Sequence, residues 1–281
     1  MTAETPVYTE TAYRSEFKPT WCPGCGDFAV LSAASKALAD LQVPPEQVVI
    51  VSGIGCSSRI PYFFRTYGIH GLHGRSLPLA TGVKLARPDL KVLVCGGDGD
   101  LFSIGTNHLI HAARRNLDIA VVLMDNQIYG LTKAQFSPTS IQRQVSRSSP
   151  YGKVEPALNP VLLALSVGAT YVARSFSARP RHVQELLAGA LRHKGFGFIH
   201  VISPCREWHD RSAYYREHSV DIDASHDVKS LGRALQLAVE TEKEYMGLFY
   251  QVAQPTFDEG ERSLVEKQMP FDLQEHLAAY R

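Results

Sequence analysis

The chain has 281 residues, 44% of them hydrophobic, and its 29 basic and 28 acidic side chains leave a formal net charge of +1. This length and composition suit one large α/β domain or two small domains. The balanced charge does not point to nucleic acid or to an acidic membrane surface as a partner. No apolar run approaches the roughly 18 residues that a membrane span needs. The polar N-terminus lacks the apolar core of a secretion signal, so we expect a cytoplasmic protein.

The predicted elements alternate between helices and strands, behind an N-terminal arm at residues 1–20. Hydrophobic periodicity predicts helices at 27–41, 76–86, 103–115, 158–167, 180–192 and 229–246. Short apolar runs predict strands at 48–51, 91–95, 119–124, 169–174 and 196–202. This alternation predicts an α/β fold in which a parallel sheet carries helices on both faces.

The predicted organisation has a main domain at residues 21–215 and a C-terminal region at residues 216–281. We expect the C-terminal region to hold one helix and an extended tail that packs on the domain or on a partner. Pro255, Gly260 and Pro270 interrupt this tail. The polar segment 132–160 is long for a loop inside a compact domain, and such loops are usually functional. Alternatively, the segment could be a surface loop without a functional role.

A glycine- and aspartate-rich run follows the second predicted strand, at residues 91–95. It reads Gly96-Gly97-Asp98-Gly99-Asp100, and Asn126 follows the next strand along the chain. A helix between two parallel strands brings both strand ends to one edge of a sheet. Carboxylate and amide oxygens at that edge would suit Mg²⁺ and leave room for diphosphate oxygens. Gly-Asp-Gly alone could be only a turn, but the ordered series of strand, motif, helix, strand and asparagine predicts a magnesium–diphosphate site.

This arrangement resembles the diphosphate motif of thiamine-diphosphate enzymes, which implies a thiamine-diphosphate-binding fold. By that resemblance, the Mg²⁺ ligands would be Asp98, Asn126 and the carbonyl of Ile128. The residues that border the diphosphate would be Gly99, Asp100, Gly130 and Leu131. Asp100 could instead cap the helix that starts near Ser103.

The five cysteines form a second group of candidate ligands. An odd number in an intracellular chain argues against a disulfide framework. Cys22 and Cys25 precede a predicted helix, whereas Cys56 and Cys205 each follow a predicted strand, at the same sheet edge as the diphosphate motif. Four thiolates suit Zn²⁺ or a [4Fe–4S] cluster, and the absence of a second C-x-x-C pair favours the cluster. Cys95 lies inside an apolar strand, which predicts core packing.

Five motifs occur in order between residues 17 and 210: Cys-Pro-Gly-Cys-Gly, Gly-Ile-Gly-Cys-Ser, Leu-His-Gly-Arg, Gly-Asp-Gly-Asp and Asp-Asn-Gln-Ile-Tyr-Gly-Leu-Thr. Together they resemble the β subunit of 2-oxoacid:ferredoxin oxidoreductases, most closely the 2-oxoglutarate branch. The resemblance implies a [4Fe–4S] cluster on Cys22, Cys25, Cys56 and Cys205. It implies thiamine diphosphate contacts from Ile54, Gly55, Ser57 and His73.

The same resemblance places a basic residue, here Arg59, opposite the substrate carboxylate. Arg59 and His73 are therefore the candidate catalytic residues. Each has a plainer alternative, because Arg59 could be a solvated surface side chain and His73 a structural histidine in a loop.

The family resemblance also implies a reaction: CoA-dependent oxidative decarboxylation of 2-oxoglutarate to succinyl-CoA and CO₂, with electrons passed through the cluster to ferredoxin. No glutamate has a recognisable context for activating thiamine, and no long segment remains for a second thiamine-type domain. We therefore expect an α subunit to complete the site, in an α₂β₂ assembly. The alternatives are a pyruvate-using relative, a non-oxidative thiamine-diphosphate enzyme with structural zinc, and an iron–sulfur electron carrier without enzyme activity.

Overall fold

The computed structural model describes residues 7–267, 273–278 and 280, with the backbone alone at residues 266, 267, 273 and 275. The strands in this part of the chain are β1 Val48–Ser52, β2 Tyr67–His70, β3 Lys91–Gly97, β4 Ile119–Asp125, β5 Ile128–Tyr129, β6 Gln135–Phe136, β7 Tyr171–Phe176, β8 Phe196–Ile202, β9 Ser219–Asp221 and β10 Glu244–Gln251. The α-helices are α1 Asp27–Asp40, α2 Ser76–Ala86, α3 Thr106–Arg114, α4 Pro160–Ser166, α5 Pro180–Arg192, α6 Ser212–His218, α7 Leu231–Val239, α8 Phe257–Lys267 and α9 Leu273–Ala278.

Eight of the strands form one sheet in the order β2-β1-β3-β4-β8-β7-β10-β9. Neighbouring strands are parallel except β7 and β10, which are antiparallel. The short strands β5 and β6 pair separately. Because β1, β3, β4 and β8 are adjacent and parallel, the loops at their carboxyl ends meet at one edge, which is where ligands bind in open α/β sheets.

Hydrophobic cores lie on both faces of the sheet. Side chains of successive strand residues point to opposite faces, so Leu93 and Cys95 of β3 belong to one core, with α1 and α5, whereas Val92 and Val94 belong to the other, with α2, α3, α4 and α7. The predicted parallel sheet with helices on both faces is confirmed, and Cys95 is fully buried in the core as predicted.

The prediction of one helix over residues 229–246 is wrong. Helix α7 ends at Val239, a polar turn follows, and Glu244–Gln251 forms β10 against the edge of β7. The unpaired edge of β7 explains the difference, since an edge strand exposes backbone groups that a further strand can satisfy. The described tail is irregular at residues 252–256 and then helical rather than extended, with Gly260 inside α8. Pro270 lies outside the described residues.

Two further segments differ from the prediction. The crossover after β3 starts with a wide turn at Asp100–Ile104, and the regular helix begins only at Thr106. From residue 7 onward the N-terminal arm is docked, because the fully buried Tyr13 donates its hydroxyl to carbonyls of the α1 region at 2.7 and 3.0 Å. None of the helices in the described ranges is long and apolar enough to cross a membrane.

Candidate active site

The loops that follow β1, β3 and β4 enclose a pocket of about 150 Å³ at the carboxyl edge of the sheet. All eight residues predicted to contact the cofactor line this pocket: Ile54, Gly55, Ser57, His73, Gly99, Asp100, Gly130 and Leu131. The three predicted Mg²⁺ ligands, Asp98, Asn126 and Ile128, also line it, as does Cys56. The structure thus brings two separately predicted groups of residues to one place.

The oxygen donors of the predicted Mg²⁺ site lie at adjacent strand ends. Asp98 follows β3 and is 1% exposed, and one of its oxygens lies 3.4 Å from the backbone nitrogen of Asn126. The side-chain oxygen of Asn126 accepts a hydrogen bond from the Ile128 N–H at 3.0 Å, around a left-handed Gln127 with φ 62°. A carboxylate and an amide oxygen in this position are ligands that Mg²⁺ prefers, so the residues present fit the ion.

Thr139 joins the carboxyl groups of Asp98 and Asp125. Its hydroxyl oxygen lies 2.9 Å from Asp98 Oδ2 and 2.8 Å from Asp125 Oδ1. A hydroxyl has only one proton to donate, so Thr139 shares it between the two carboxyl groups and compensates neither of them fully. Burial and the nearby Asp125 charge raise the pKa of Asp98 to about 8. Both observations favour the protonated form of Asp98 in the metal-free protein.

Asp100 does not cap the following helix. The residue before α3 is Gly105, and the wide turn at Asp100–Ile104 has no side-chain cap either, so this alternative role is wrong. Instead one carboxyl oxygen of Asp100 accepts hydrogen bonds from the backbone N–H of Ile54 and Gly74, at 2.9 and 2.7 Å, and from Nδ1 of His73, at 2.7 Å. Its side chain thus supports the pocket wall from behind.

The four predicted cluster cysteines surround the same pocket edge. A Cβ atom at Gly130 would lie 3.8 Å from Cys205 Sγ and 3.9 Å from Cys56 Sγ. Cys25 interacts electrostatically with both of these thiols, and Cys22 interacts with Cys56. No group of three or more histidine, cysteine or acidic side chains placed to hold a single metal ion occurs within the described ranges. A four-iron cluster differs from a single ion, because each cysteine binds a different iron atom.

The raised pKa values of the buried thiols fit a site in which bound metal supplies positive charge. Burial raises the pKa of the Cys25 thiol, and it raises the pKa of Cys56 to about 11. These cysteines are therefore protonated in the chain without metal at neutral pH. Iron would displace the protons and compensate the buried thiolate charge, as metals do at cysteine sites.

Arg59 lies beside the cysteines rather than in the wall of the pocket. Its guanidinium donates to the Thr20 hydroxyl at 3.2 Å, and its charge lowers the pKa of Cys56 against the larger effect of burial. The side chain is half-buried and is not among the residues that line the pocket. Apart from the cysteines, Arg59 is the one predicted site residue that does not line the pocket.

Sequence reasoning missed several residues of the site. Tyr129 lines the pocket and donates its hydroxyl to the Gly99 carbonyl at 3.0 Å. Thr139 and Ser140 come from the long polar loop, and Ser140 donates to the carbonyl of Gln127. The unusual length of that loop was the available signal, and its contacts with the diphosphate motif agree with the functional role predicted for it.

Family models match most of the chain. Residues 42–201 match the family described as thiamine pyrophosphate enzyme, C-terminal TPP binding domain, and residues 209–265 match the C-terminal part of the pyruvate ferredoxin oxidoreductase beta subunit. Fold and site therefore define a thiamine-diphosphate-binding protein of the oxidoreductase type.

Individual relatives narrow this class. The 2-oxoacid:ferredoxin oxidoreductase subunit beta of a Sulfolobus species is 43% identical over 247 residues, which cover 82% of this chain and 81% of the relative. The 2-oxoglutarate synthase subunit KorB of Methanothermobacter thermautotrophicus is 36% identical over 98% of this chain and 97% of its own. This chain belongs to the β subunits of the 2-oxoacid:ferredoxin oxidoreductases.

A solved structure shares the whole fold. It is the 2-oxoglutarate:ferredoxin oxidoreductase from Magnetococcus marinus with 2-oxoglutarate, coenzyme A and succinyl-CoA bound, and it matches with a TM-score of 0.94 and 42% identity. The match covers 98% of this chain and 96% of that one. Membership of the family, predicted from the five sequence motifs, is confirmed.

Proposed function

We propose that this chain is the β subunit of a 2-oxoglutarate:ferredoxin oxidoreductase. In the reaction, 2-oxoglutarate, CoA and two oxidised ferredoxins give succinyl-CoA, CO₂, two reduced ferredoxins and one proton. The observation that carries the proposal is the position of Gly130, where one added carbon would lie within 4 Å of Asn126, Cys56 and Cys205. A diphosphate site and a group of four cysteines at such close range suit a reaction that removes electrons from a cofactor-bound substrate.

The residues of this chain would hold two inorganic groups. Asp98, Asn126 and the Ile128 carbonyl would bind Mg²⁺, and the cysteines at 22, 25, 56 and 205 would bind a [4Fe–4S] cluster. Thiamine diphosphate would supply an electron sink for decarboxylation, and an iron–sulfur cluster transfers single electrons at low potential. Gly99 and Gly130 would border the diphosphate, because they place no side chain at the pocket wall.

A partner subunit would complete the site. The relatives are named as β subunits, and no glutamate lines the described pocket, although thiamine activation requires one at the aminopyrimidine ring. We assign that glutamate to an α subunit in an α₂β₂ assembly. The chain on its own should then show no turnover, and CoA and ferredoxin should act only on the assembled enzyme.

Arg59 is proposed to attract the substrate carboxylate from the rim of the pocket. Within the described ranges its guanidinium donates a hydrogen bond only to the hydroxyl of Thr20, so it can turn towards an anion when the site is occupied. Arg59→Ala should raise the KM for the 2-oxoacid about tenfold or more and leave the KM for CoA unchanged. Equal changes in both KM values would contradict this role.

The decisive experiment is an anaerobic purification of the αβ enzyme with iron, sulfide and zinc analysis and a visible spectrum. We expect about four iron and four sulfide per β chain, with an absorption band that bleaches on addition of 2-oxoglutarate and CoA. Cys205→Ser should lose the cluster. Cys95→Ala is the matched control, because Cys95 is equally a free cysteine but lies in the core.

Each other outcome selects a different function. Bleaching by pyruvate and CoA but not by 2-oxoglutarate would assign the enzyme to pyruvate. Zinc without iron would leave a non-oxidative thiamine-diphosphate enzyme. A cluster without any retained thiamine diphosphate would leave an electron carrier.

A further inference from the structure

The second aspartate of the Gly-Asp-Gly-Asp run, Asp100, lies where three loops meet. Its side chain is fully buried. One of its oxygens accepts from Ile54, in the loop after β1, and from Gly74 and His73, in the loop after β2, all within 2.9 Å. Asp100 itself follows β3. A single carboxyl oxygen therefore holds together the segments that form one wall of the pocket.

The second oxygen of the Asp100 carboxyl group is enclosed by protein. This oxygen, Oδ2, is buried and has no hydrogen-bond partner among the described residues. A Cβ atom at Gly53 would lie only 2.0 Å from it, so the backbone of the first loop is packed directly against the carboxyl group. A buried carboxyl group is costly unless hydrogen bonds compensate it, and in the described part of the chain Asp100 obtains that compensation from the pocket loops.

The contact with Asp100 determines which ring nitrogen His73 presents to the pocket. The Asp100 oxygen already accepts from two backbone N–H groups, so Nδ1 of His73 is the donating nitrogen. Nε2 forms no hydrogen bond with the described residues and is not among the buried unpaired atoms. The imidazole is 40% exposed, lines the pocket and meets the ring of Tyr129 edge-on at 6.0 Å. A hydrogen bond at one ring nitrogen fixes the orientation and tautomer of the other.

We propose that Asp100 is a positioning residue that holds His73 with Nε2 directed at the bound diphosphate-bearing cofactor. This proposal rests on the proposed function and deepens it, since it assigns separate tasks to the two aspartates of the run. Asp98 would bind the metal, whereas the side chain of Asp100 would act on the cofactor through His73 and the two loops. The chemistry that His73 recognises is an anionic phosphate oxygen.

The test is a double-mutant cycle on the αβ enzyme, with the dissociation constant of thiamine diphosphate as the readout. Asp100→Asn retains an oxygen that can accept all three hydrogen bonds, but it removes the charge behind His73. His73→Ala removes the group that Asp100 is proposed to position. Coupling between two residues in contact shows as a deviation from additivity.

We expect Asp100→Asn to weaken binding about tenfold when His73 is present, as for loss of a charge-assisted hydrogen bond. In the His73→Ala background the same change should weaken binding less than about threefold. Asp89→Asn is the matched control: it alters an exposed carboxylate just before β3, paired with Arg87, and should leave the dissociation constant unchanged. Because the asparagine NH2 group is buried in both backgrounds, any loss in thermal midpoint from Asp100→Asn should be the same with and without His73.

Equal weakening in both backgrounds would overturn the proposal, because Asp100 would then act independently of His73. Wild-type affinity in Asp100→Asn would overturn it as well. These failures differ from a failure of the proposed function, which would appear as a wild-type enzyme that does not retain thiamine diphosphate or does not reduce ferredoxin. An enzyme that turns over normally but gives an additive cycle rejects the role of Asp100 alone.

Discussion

Mg²⁺ binding to this protein should release a proton, because the metal-free site holds one. Asp98 is 1% exposed, and the Thr139 hydroxyl lies within 2.9 Å of both Asp98 and Asp125 with one proton to share. Burial, and then the Asp125 charge, raise the pKa of Asp98 to about 8. A metal ligand must be deprotonated to bind, so Mg²⁺ and the proton compete for Asp98.

The size of the effect follows from that pKa. About half of the Asp98 carboxyls are ionised at pH 8, but only about one in a hundred at pH 6. The apparent dissociation constant of Mg²⁺ should therefore rise about fiftyfold from pH 8 to pH 6, with about 0.9 proton released per ion bound at pH 7. An ordinary aspartate, with a pKa of about 3.9, would give almost no change over this range.

Isothermal titration of Mg²⁺ into the enzyme saturated with thiamine diphosphate, in two buffers of different ionisation enthalpy, measures both quantities. Asp125→Asn provides the comparison, because it retains a polar side chain of the same shape but removes the charge beside Asp98. This substitution should lower the pKa of Asp98 and make the dissociation constant of Mg²⁺ depend less on pH. The comparison therefore separates the titration of Asp98 from the titration of the cofactor phosphate. If no proton is released at pH 7, or if both proteins show the same slope, the assignment of the proton to Asp98 is refuted.

Three other perturbations test the structure. Gly53→Ala should weaken thiamine diphosphate binding about tenfold or more, because the added methyl group overlaps with Asp100. The same change should have little effect on binding in the Asp100→Ala variant, and titration with thiamine diphosphate measures both effects. Tyr13→Phe should lower the free energy of unfolding by about 1–2 kcal/mol in urea, because two buried carbonyls lose their donor; an unchanged value would mean that the arm is not docked. Burial raises the folded-state pKa of Asp27 to about 6 from 3.8, so stability present below pH 4 should fall by a few kcal/mol as the pH rises to 6, and Asp27→Asn should abolish this fall in pH-dependent denaturation.

The parts of the fold that were predicted correctly are those encoded locally. Helix α5 was predicted at 180–192 and occurs at Pro180–Arg192, and the fully buried β8 was predicted at 196–202 and occurs at Phe196–Ile202. Each depends on its own apolar pattern and on a proline or glycine at its boundary. The position of the pocket also followed from local information, because strand ends in a parallel sheet share one edge.

Residues 240–251 show where local information is insufficient. The apolar positions up to Met246 fit the predicted helix, but Leu248 pairs with Ala173 of β7, and the fully buried Met246 and Phe249 pack into the domain. Only the free edge of β7, whose neighbour is far away in sequence, makes this segment a strand. The contact of Thr139 with Asp98 was hidden for the same reason, since a loop of irregular structure has no periodicity that predicts where its hydroxyl groups lie.

Asp125, the last residue of β4, connects the metal-binding loop with the segment that carries Cys205. Its carbonyl accepts from the N–H of Ser203 at 2.7 Å, two residues before Cys205, and its carboxyl group accepts from the N–H of Gln127 at 2.9 Å, inside the metal-binding loop. The nearby Gly130 can have no side chain without entering the space between Asn126 and the two thiols. The loop that would hold the diphosphate is therefore also a wall of the cysteine group. A cofactor held on this loop would lie next to the cluster, and electron transfer between them would need no movement of the domain.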